Sequence, residues 1–591
     1  MTIGAADSIT TEVIRYELVS AVEEIKRIFK RTTTLAVLYE LNDFGISAYD
    51  TKYQLIADAP GLPIFAGTLN FCVKSCVEQV GLQNLAPGDV LTTTIPFDTG
   101  GQPVDAALVA PVFAGEELVA YTALKAHAGD LGAIDPYPTA STDMFQEGLM
   151  LPAMWLYRRG ERVEEIVRLI KANSRIPQTT IMSFLAGASA LRAGGRRIAA
   201  LVERYGSAVF QAAVTEMIGH GEKMARAAVA QIPDGEWEIT DYMDNNGVED
   251  APVKLVVKVT VRGSDLIVDL SGSAPQQRGP INSPYPGTVS ACRYVIKALT
   301  APRLPANEGH FRPLQVIAPP GTIFHPLPPA PTFLYGWTEL RLLDLIPMAL
   351  AAAIPKSVTV NSGGDIVGFG LFYYDAKTGR GDMAGGADAI GLGAMSNRDG
   401  QNALIHNAES CCCNIPVEVQ ETKLPVLIER YELRTGSGGP GKFRGGLGIR
   451  KDFRTLAPAT AIAMMERTSA SPVEGICGGR RGAFNQAIFE YDKLCAKSRG
   501  KQIANLDAGS TVSVQGGGGA GWGDPLERDA ALVLADVCHG YVSPAEAERD
   551  YGVIVRSIGD DFELDQVASE VLRNRLHHGA TEGVDNKSKQ V

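Results

Sequence analysis

The chain has 591 residues, and its 55 Lys and Arg residues against 67 Asp and Glu residues give it a net charge of −12 at pH 7. Hydrophobic residues make up 45% and charged residues 21%, which excludes a disordered or low-complexity chain. The acidic balance excludes a nucleic acid or an anionic membrane as partner, because no basic surplus exists to displace counterions. We therefore expect a large globular protein of several lobes.

The first lobe, residues 1–155, is predicted to combine helices and strands and to hold the candidate site. Apolar residues recur at helical spacing over residues 11–31, with charges on the opposite face. Short strand-like runs follow between Pro-Gly, Gly-Gly and Gly-Glu-Glu turns, at residues 45–48, 89–95, 107–113 and 118–124.

The second lobe, residues 156–232, is predicted to be helical. The period of apolar residues changes to that of a helix over residues 162–172, 196–205 and 208–231. The Arg-Ala-Gly-Gly stretch at 192–195 is interpreted as a break before the second of these helices.

The third lobe, residues 233–525, is predicted to be rich in strands and glycine, and residues 526–591 to form a helical tail. Strands are expected at 254–261 and 265–270, and helices at 288–300 and at 340–353 with a kink at Pro347. The overall class is α+β and multi-lobed, with strand-rich lobes beside a separate helical one, because no regular βαβ alternation is present.

Two glycine-rich stretches suggest nucleotide binding but lack its other requirements. Residues 436–442 fit G-x-x-x-x-G-K, yet Phe443 stands where Ser or Thr would hold magnesium, and no helix start follows. Residues 516–519 are four consecutive glycines, which we interpret as positions needing positive φ angles or close backbone contacts. We therefore expect no nucleotide site in this chain.

No secretion signal is expected, because residues 1–10 carry no basic segment followed by an apolar one. The apolar run at 348–354 is too short to span a bilayer. Nine cysteines, an odd number, favour free thiols in a reducing compartment. A cytoplasmic protein is the prediction.

Several motifs point to one family. The most specific is Gly-Gly-Gly-Gly-Ala-Gly-Trp-Gly-Asp-Pro at 516–525, and shorter matches occur at 12–15, 146–149, 279–284, 307–313, 416–418, 429–434 and 437–446. Together they resemble the hydantoinase B/oxoprolinase family over residues 7–555, with characteristics closest to the acetophenone and acetone carboxylase subunits.

This resemblance implies a hetero-oligomer. A hydantoinase A-like ATPase subunit would bind ATP and phosphorylate a carbonyl oxygen of the substrate, and the B-type subunit would carry out the second step. In the oxoprolinase, hydantoinase and caprolactamase members that step is amide hydrolysis. In the ketone carboxylases it is attack of an enolate-like carbon on carbon dioxide from bicarbonate.

The resemblance also implies a metal site, which is incomplete here. Asp43, Asp105 and His127 match expected ligands, but Gln102 replaces the first expected His. An amide oxygen suits hard cations better than zinc, so manganese, magnesium, zinc and no metal at all remain open. Without a metal, Gln102 would donate hydrogen bonds to Asp105 or to a substrate phosphate.

Further site residues follow from the same motifs. Asp105, His127, Asp130 and Glu147 are the candidate catalytic groups for acid–base work, and solvated loop carboxylates are the alternative for the last two. Gln102 and Arg312 are candidates to bind substrate or phosphate, Arg312 through a bidentate contact.

Three functions are compatible with these residues. The first is a subunit of an ATP-dependent ketone carboxylase, similar to acetophenone carboxylase, because the altered metal cluster departs from the hydrolytic pattern. The second is a subunit of an ATP-dependent hydantoinase, 5-oxoprolinase or lactam amidohydrolase. The third is a non-catalytic scaffold in such a complex.

Overall fold

The computed structural model describes residues 7–375, 380–409, 412–469, 474–490, 497–498, 500–559 and 561–587. It contains several sheets and many helices, so the predicted mixed class is confirmed. Chain order gives first the helices α1 to α8, at Ser8–Thr32, Ala36–Tyr39, Pro63–Ala66, Leu69–Val80, Pro96–Thr99, Glu164–Ala172, Pro177–Tyr205 and Ser207–Val229. The strands of the same region are β1 to β7, at Phe44–Tyr49, Leu55–Asp58, Val90–Thr93, Asp105–Ala114, Glu117–His127, Met154–Arg158 and Glu161–Arg162.

The seven strands form one antiparallel sheet in the order β2-β1-β5-β4-β3-β6-β7. One face of this sheet packs against α1 and α7, and the other against α3 and α4. The helical segment predicted as a separate lobe therefore shares a hydrophobic core with the first sheet, because α7 covers β4 and β5.

The predicted helix break at 192–195 is wrong, since α7 runs without interruption from Pro177 to Tyr205. The glycines serve close packing instead. A Cβ atom added at Gly194 would lie 2.2 Å from Cγ1 of Ile25 on α1, and one at Gly195 would lie 3.2 Å from Cγ2 of Val112 on β4. Glycine thus lets α7 approach both neighbours, which outweighs its poor helix propensity.

A second sheet follows in the order β11-β10-β9-β8, at Gly235–Met243 (β8), Val253–Arg262 (β9), Asp265–Asp269 (β10) and Leu314–Ile317 (β11). Helices α9, Tyr285–Thr300, and α10, Tyr335–Leu350, pack against each other, and α10 also contacts β8 and β9. Pro347 lies inside α10 as predicted, but the helix begins five residues before the predicted start. That extra turn carries Tyr335 to the first sheet.

The remaining strands form two sheets that share a core. Their bounds are Gly368–Asp375 (β12), Arg380–Ala387 (β13), Val426–Leu433 (β14), Ile449–Thr455 (β15), Ala459–Met464 (β16), Gln486–Phe489 (β17), Lys497–Ser498 (β18), Lys501–Leu506 (β19) and Thr511–Gln515 (β20). The strand orders are β13-β12-β16-β19 and β14-β15-β20-β17-β18. One helix, α11, lies in this region at Val417–Lys423.

The chain ends in a small helical unit with its own apolar cluster. Its elements are α12, Ala530–Cys538; α13, Pro544–Tyr551; the hairpin β21–β22, Val555–Ile558 and Asp561–Leu564; and α14, Gln566–Lys587. The three helices agree with the predicted helical tail, whereas the hairpin has no counterpart in the prediction. Arg528 is buried and joins this unit to the rest through Asp399, at 2.7 Å and 2.8 Å, and through Asp536, at 2.8 Å.

The glycine-rich stretches form a bundle of extended segments, 389–394, 436–448, 475–483 and 516–523, which we call the glycine bundle. The segments are joined by backbone hydrogen bonds, such as Gly439 N–H to Gly519 O at 2.8 Å and Gly519 N–H to Gly446 O at 3.0 Å. A Cβ atom at Gly518 would lie 1.7 Å from the carbonyl oxygen of Ser437. Within 516–523 only Gly523 has a positive φ, so close backbone contact is the main reason for these glycines.

Candidate active site

Asp43, His127 and Asp105 lie side by side at one end of three neighbouring strands, β1, β5 and β4. Asp105 is directly opposite His127, whose N–H donates to the carbonyl of Asp43 at 3.2 Å. His127 Nδ1 is 3.6 Å from Asp105 Oδ1 and 4.0 Å from Asp43 Oδ2. Asp105 is fully buried and His127 is 8% exposed. We call these three residues the Asp–His–Asp row.

The side-chain amide of Gln102 lies next to both Asp105 and His127. Its Nε2 is 3.3 Å from both Asp105 Oδ1 and His127 Nδ1, and it donates to the hydroxyl of Tyr137 at 3.4 Å. The nitrogen end must face Asp105, because the amide oxygen would repel a carboxylate oxygen there. The arrangement is the hydrogen-bonded one that the sequence left open, with Gln102 donating to Asp105.

Aromatic side chains enclose the row. The hydroxyl of Tyr335, at the start of α10, donates to Asp105 Oδ2 at 2.7 Å. The ring of Tyr137 stacks on His127 with centroids 5.8 Å apart and an interplanar angle of 12°. Phe333 meets Tyr137 edge-on at 4.8 Å. Asp105 and His127 are therefore largely shielded from water, which strengthens the interactions among their charges, whereas the Asp43 side chain is 20% exposed.

Burial and mutual charge set the ionisation of the row. Burial, aided by the charge of Asp105 and opposed by His127, raises the pKa of Asp43 to about 7. For Asp105, burial is outweighed by the interaction with His127 and the charge of Lys125, so its pKa is lowered. Burial alone would lower the pKa of His127, but Asp105 and Asp43 outweigh it and raise that pKa. The row thus holds groups poised to exchange protons near neutrality.

One further acid faces the row and was not predicted. Glu409 is buried in the short 3₁₀-helix Asn407–Glu409, which packs against α3 and α10. Its burial and the charges of Asp43 and Asp105 raise its pKa to about 8. No motif marks this residue, because it is distant in sequence and reaches the row through the packing of its short helix against α3 and α10.

Asp130 lies outside the row and fixes a loop. Its carboxylate pairs with the guanidinium group of Arg175 at 2.8 Å and accepts a hydrogen bond from the backbone N–H of the same residue. Arg175 also donates to the carbonyl of Ala133 at 2.7 Å. Asp130 therefore ties the loop after β5 to the segment that begins α7.

Glu147 is fully buried, which removes the interpretation as a solvated loop carboxylate. It accepts hydrogen bonds from Ser141 Oγ at 2.7 Å, from the N–H of Thr332 at 2.8 Å and from the N–H of Phe333 at 2.9 Å. Burial raises its pKa to about 7 despite these donors. Glu147 thus anchors the segment that carries Phe333 and Tyr335 to the row, rather than joining the row itself.

Arg312 is not brought to the row. Its side chain is 41% exposed and pairs with Glu222 on α8 at 2.7 Å. A second contact runs to Gln54 Oε1 at 3.4 Å. Arg312 was predicted to bind a phosphate in a bidentate way, but its guanidinium group pairs with a carboxylate of this chain instead.

The donor set does not fit a metal ion as it is arranged. Among the described residues, no group of three or more His, Cys, Asp or Glu side chains is placed to hold one. The NH₂ group of Gln102 points at Asp105 and His127, where a cation would need lone pairs.

Sequence patterns could not indicate Tyr335, Tyr137 or Lys125. Tyr335 begins α10 before the predicted helix start, Tyr137 lies in an irregular stretch, and neither stands in a motif. Lys125 stands in its motif only as a neighbour of His127. The register of β4 and β5 is the signal that would have found Lys125, because residues two apart on a strand share a face.

A known protein family matches most of this chain. The family model described as hydantoinase B/oxoprolinase matches residues 7–525. The chain belongs to the hydantoinase B/oxoprolinase family. The resemblance derived from the motifs is thereby confirmed, and the region matched includes the whole Asp–His–Asp row.

Relatives match this family member along nearly its full length. A protein from Pseudomonas sp. strain NS671, named as the B-type subunit of a D-/L-hydantoinase, is 29% identical over 96% of this chain and 98% of its own. The beta subunit of the caprolactamase from Pseudomonas jessenii is 28% identical over 96% of this chain and 99% of its own.

Solved structures share the fold. The ATP-dependent caprolactamase from Pseudomonas jessenii matches with a TM-score of 0.87 and 28% identity, over 96% of this chain and 99% of that one. Acetone carboxylase in its nucleotide-free form matches with a TM-score of 0.88 over 99% of this chain and 84% of that one. At 17% identity, the second match shows the fold alone.

Crossing a membrane would require a long and strongly apolar helix. Among the described helices, none combines the required length with sufficient apolar character.

Proposed function

We propose that this chain is the substrate-converting subunit of an ATP-dependent enzyme that opens a cyclic amide, such as a hydantoin or a lactam. The supporting observation is the near full-length match to the B-type subunit of a hydantoinase and the beta subunit of a caprolactamase, together with a largely buried row of proton-exchanging groups. The names of both relatives indicate a partner subunit, and a solved relative is ATP-dependent.

We assign ATP to the partner. An amide is too stable to hydrolyse readily, and phosphorylation of its carbonyl oxygen by a hydantoinase A-like ATPase subunit would make the carbon reactive. In this chain the stretch at 436–442 is not followed by a helix, and its backbone groups form hydrogen bonds with the other segments of the glycine bundle. The phosphorylated substrate would then reach the row.

The row supplies the proton transfers of hydrolysis. Water adds to the activated carbon and gives its proton to Asp43, whose pKa of about 7 suits a general base. His127 donates a proton to the ring nitrogen as the carbon–nitrogen bond breaks, and the new hydroxyl group on the carbon loses its proton to solvent, which leaves an acyl phosphate. A second water converts this to a carboxylate and inorganic phosphate. The enclosing tyrosines keep the activated substrate from bulk water.

Two acceptor atoms favour an amide substrate. Gln102 Oε1 and Asp43 Oδ1 are buried and have no hydrogen-bond partner in the described part of the chain. Buried acceptors without partners carry a free-energy cost, which a donor from the substrate would remove. The N–H group of a hydantoin or lactam is such a donor, whereas a simple ketone offers none.

The second candidate is the ketone carboxylation that the sequence favoured, similar to that of acetophenone or acetone carboxylase. Gln102 in place of the expected His supports it, since the metal-bearing pattern is altered. Bicarbonate would then be the co-substrate, and an enol phosphate would attack the carbon dioxide released from it. The fold itself is compatible with either reaction.

The two candidates differ in what stimulates ATP use. The chain is purified with its partner ATPase subunit, and ADP release is followed with hydantoin, 5-oxoproline and caprolactam, then with acetone or acetophenone plus bicarbonate. Turnover of an amide without bicarbonate supports the first proposal, and ketone turnover that requires bicarbonate overturns it. Asp105→Asn should abolish turnover, and Asp265→Asn, at an exposed position, should not. Full turnover by Asp105→Asn would favour a scaffold.

A further inference from the structure

Lys125 is a buried cation on β5, the strand that carries His127, and lies next to the Asp–His–Asp row. It precedes His127 by two residues on β5, so both side chains share one face of the sheet. Its neighbours across the sheet are Gly45 on β1 and Ala107 on β4, which are small enough to leave room for its side chain. Lys125 is completely buried.

The ammonium group holds the end of a short helix. Nζ donates to the carbonyl oxygens of Thr99 at 3.1 Å and Gly100 at 3.4 Å, where α5 ends with Gly100 in the left-handed region. Nζ also lies 4.2 Å from the ring centroid of Phe65. The carbonyls at a helix end carry partial negative charge and lack partners within the helix. The ammonium group of Lys125 supplies the hydrogen bonds and the positive charge that stabilise them.

The turn that follows α5 carries Gln102 and leads into Asp105. It is tightly packed, because a Cβ atom at Gly101 would lie 2.6 Å from Asp105 Oδ2, and one at Gly100 would lie 2.6 Å from the backbone nitrogen of Gly287. Asp105 N–H donates to Gln102 O at 2.9 Å within the turn. A movement of the backbone at Thr99 or Gly100 would therefore displace the side-chain amide of Gln102.

The acidic groups whose charges act on Lys125 are Asp105, Asp43, Glu339 and Cys72. The hydrogen bonds to Thr99 and Gly100 and the contact with the ring of Phe65 compensate the burial of its ammonium group.

We propose that Lys125 is a positioning residue that ties the end of α5 to the sheet and thereby holds the Gln102 amide against Asp105 and His127. Its effect on turnover rests on the proposed function, but its effect on the turn does not. The substitution Lys125→Met removes the donor and keeps the length of the side chain, and Lys125→Arg keeps both charge and donors.

The first experiment follows backbone hydrogen–deuterium exchange of the full chain by mass spectrometry. With Lys125→Met, amides in peptides covering 96–105 should exchange about tenfold faster, since the turn loses a charged donor. Lys125→Arg should restore most of the protection. Lys74→Met is the matched control, because Lys74 is 58% exposed on α4 and pairs only weakly with Glu78 at 3.9 Å. Unchanged exchange at 96–105, or equally faster exchange over the whole first sheet, would overturn the proposal.

The second experiment uses the assembled complex. Lys125→Met should lower kcat about tenfold or more while KM stays within about twofold, because the row is misplaced and substrate contacts remain. Lys125→Arg should recover most of kcat. Equal loss of kcat with both variants would contradict a positioning role. If the wild-type complex turns over no amide, the proposed function fails, and the exchange result still decides the role of Lys125.

Discussion

The hydroxyl of Tyr335 donates a 2.7 Å hydrogen bond to Oδ2 of Asp105, which joins the first turn of α10 to the start of the central strand β4 in the first sheet. Asp105 has no contact with water, and its other oxygen lies 3.3 Å from the Gln102 amide and 3.6 Å from His127. The position of α10 therefore controls the geometry of the candidate site.

Tyr335→Phe should damage both stability and activity. The substitution removes the shorter of the two hydrogen bonds to Oδ2 of Asp105 and leaves the N–H of Gln102 at 3.3 Å, which costs about 1–3 kcal/mol of unfolding free energy because the acceptor is charged. Turnover in the complex should fall about tenfold or more, because Asp105 is no longer held in place. Urea unfolding and ADP release measure the two effects. Tyr374→Phe, at a position 57% exposed, is the control and should change neither. A fully active Tyr335→Phe enzyme would show that Asp105 needs no such support.

Gln102→His should convert the row into a metal site. The NH₂ group that now points at Asp105 and His127 would be replaced by an imidazole nitrogen with a lone pair, beside two carboxylates and a second imidazole. We expect divalent zinc or manganese to bind at least about tenfold more tightly than to the wild-type chain. Calorimetric titration of protein without an affinity tag measures this affinity. Gln102→Asn, which offers no imidazole, is the control, and equal affinity in all three proteins would contradict the prediction.

The secondary structure is largely predictable, because long amphipathic helices and alternating strands carry their period in the sequence. The helix predicted at 11–31 is α1, Ser8–Thr32, and the strand predicted at 118–124 is β5, Glu117–His127. Glycine caused the main error. The pattern in α7 predicts a helix break, whereas Gly194 serves the approach of α1.

The candidate site is predictable only in part. Asp43, Asp105 and His127 follow from motif resemblance, and the structure does bring them together. Tyr335 and Glu409 reach the row by packing between elements that are distant in sequence, which no local pattern encodes. Tyr335 is placed by the packing of α10, and Glu409 by the packing of its short helix against α3 and α10.

Glu147→Gln should destabilise the chain, and by less at higher pH. Both carboxylate oxygens accept backbone or hydroxyl donors, and an amide NH₂ group cannot, so the cost is about 1–3 kcal/mol. The folded-state pKa of about 7 lies above the 4.5 that is usual for a glutamate. The folded state therefore holds this proton more tightly, and the wild-type chain loses stability as pH rises from about 4.5 to about 7.

The glutamine variant does not titrate and lacks this loss, so the stability difference should shrink between about pH 5 and about pH 8. Urea unfolding at both values measures it, and the other titrating groups cancel in the comparison. Glu161→Gln, at an exposed position on β7, is the control for removing a carboxylate at the surface. A difference that stays constant or grows with pH would mean that burial does not raise the pKa of Glu147.

Gly519→Ala should strongly destabilise the glycine bundle. The added Cβ atom would lie 2.0 Å from the carbonyl oxygen of Leu392 and 2.2 Å from its carbon, and neither backbone atom can move without breaking the hydrogen bonds of its own segment. We expect a loss of about 3 kcal/mol or more, at the upper end for overpacking. Gly219→Ala in α8 is the matched control, because its Cβ atom would meet nothing within 4 Å, and it should stabilise the chain by about 0.5–1 kcal/mol. Thermal unfolding of the two variants compares them, and similar melting temperatures would contradict the view that close backbone contact requires glycine in the bundle.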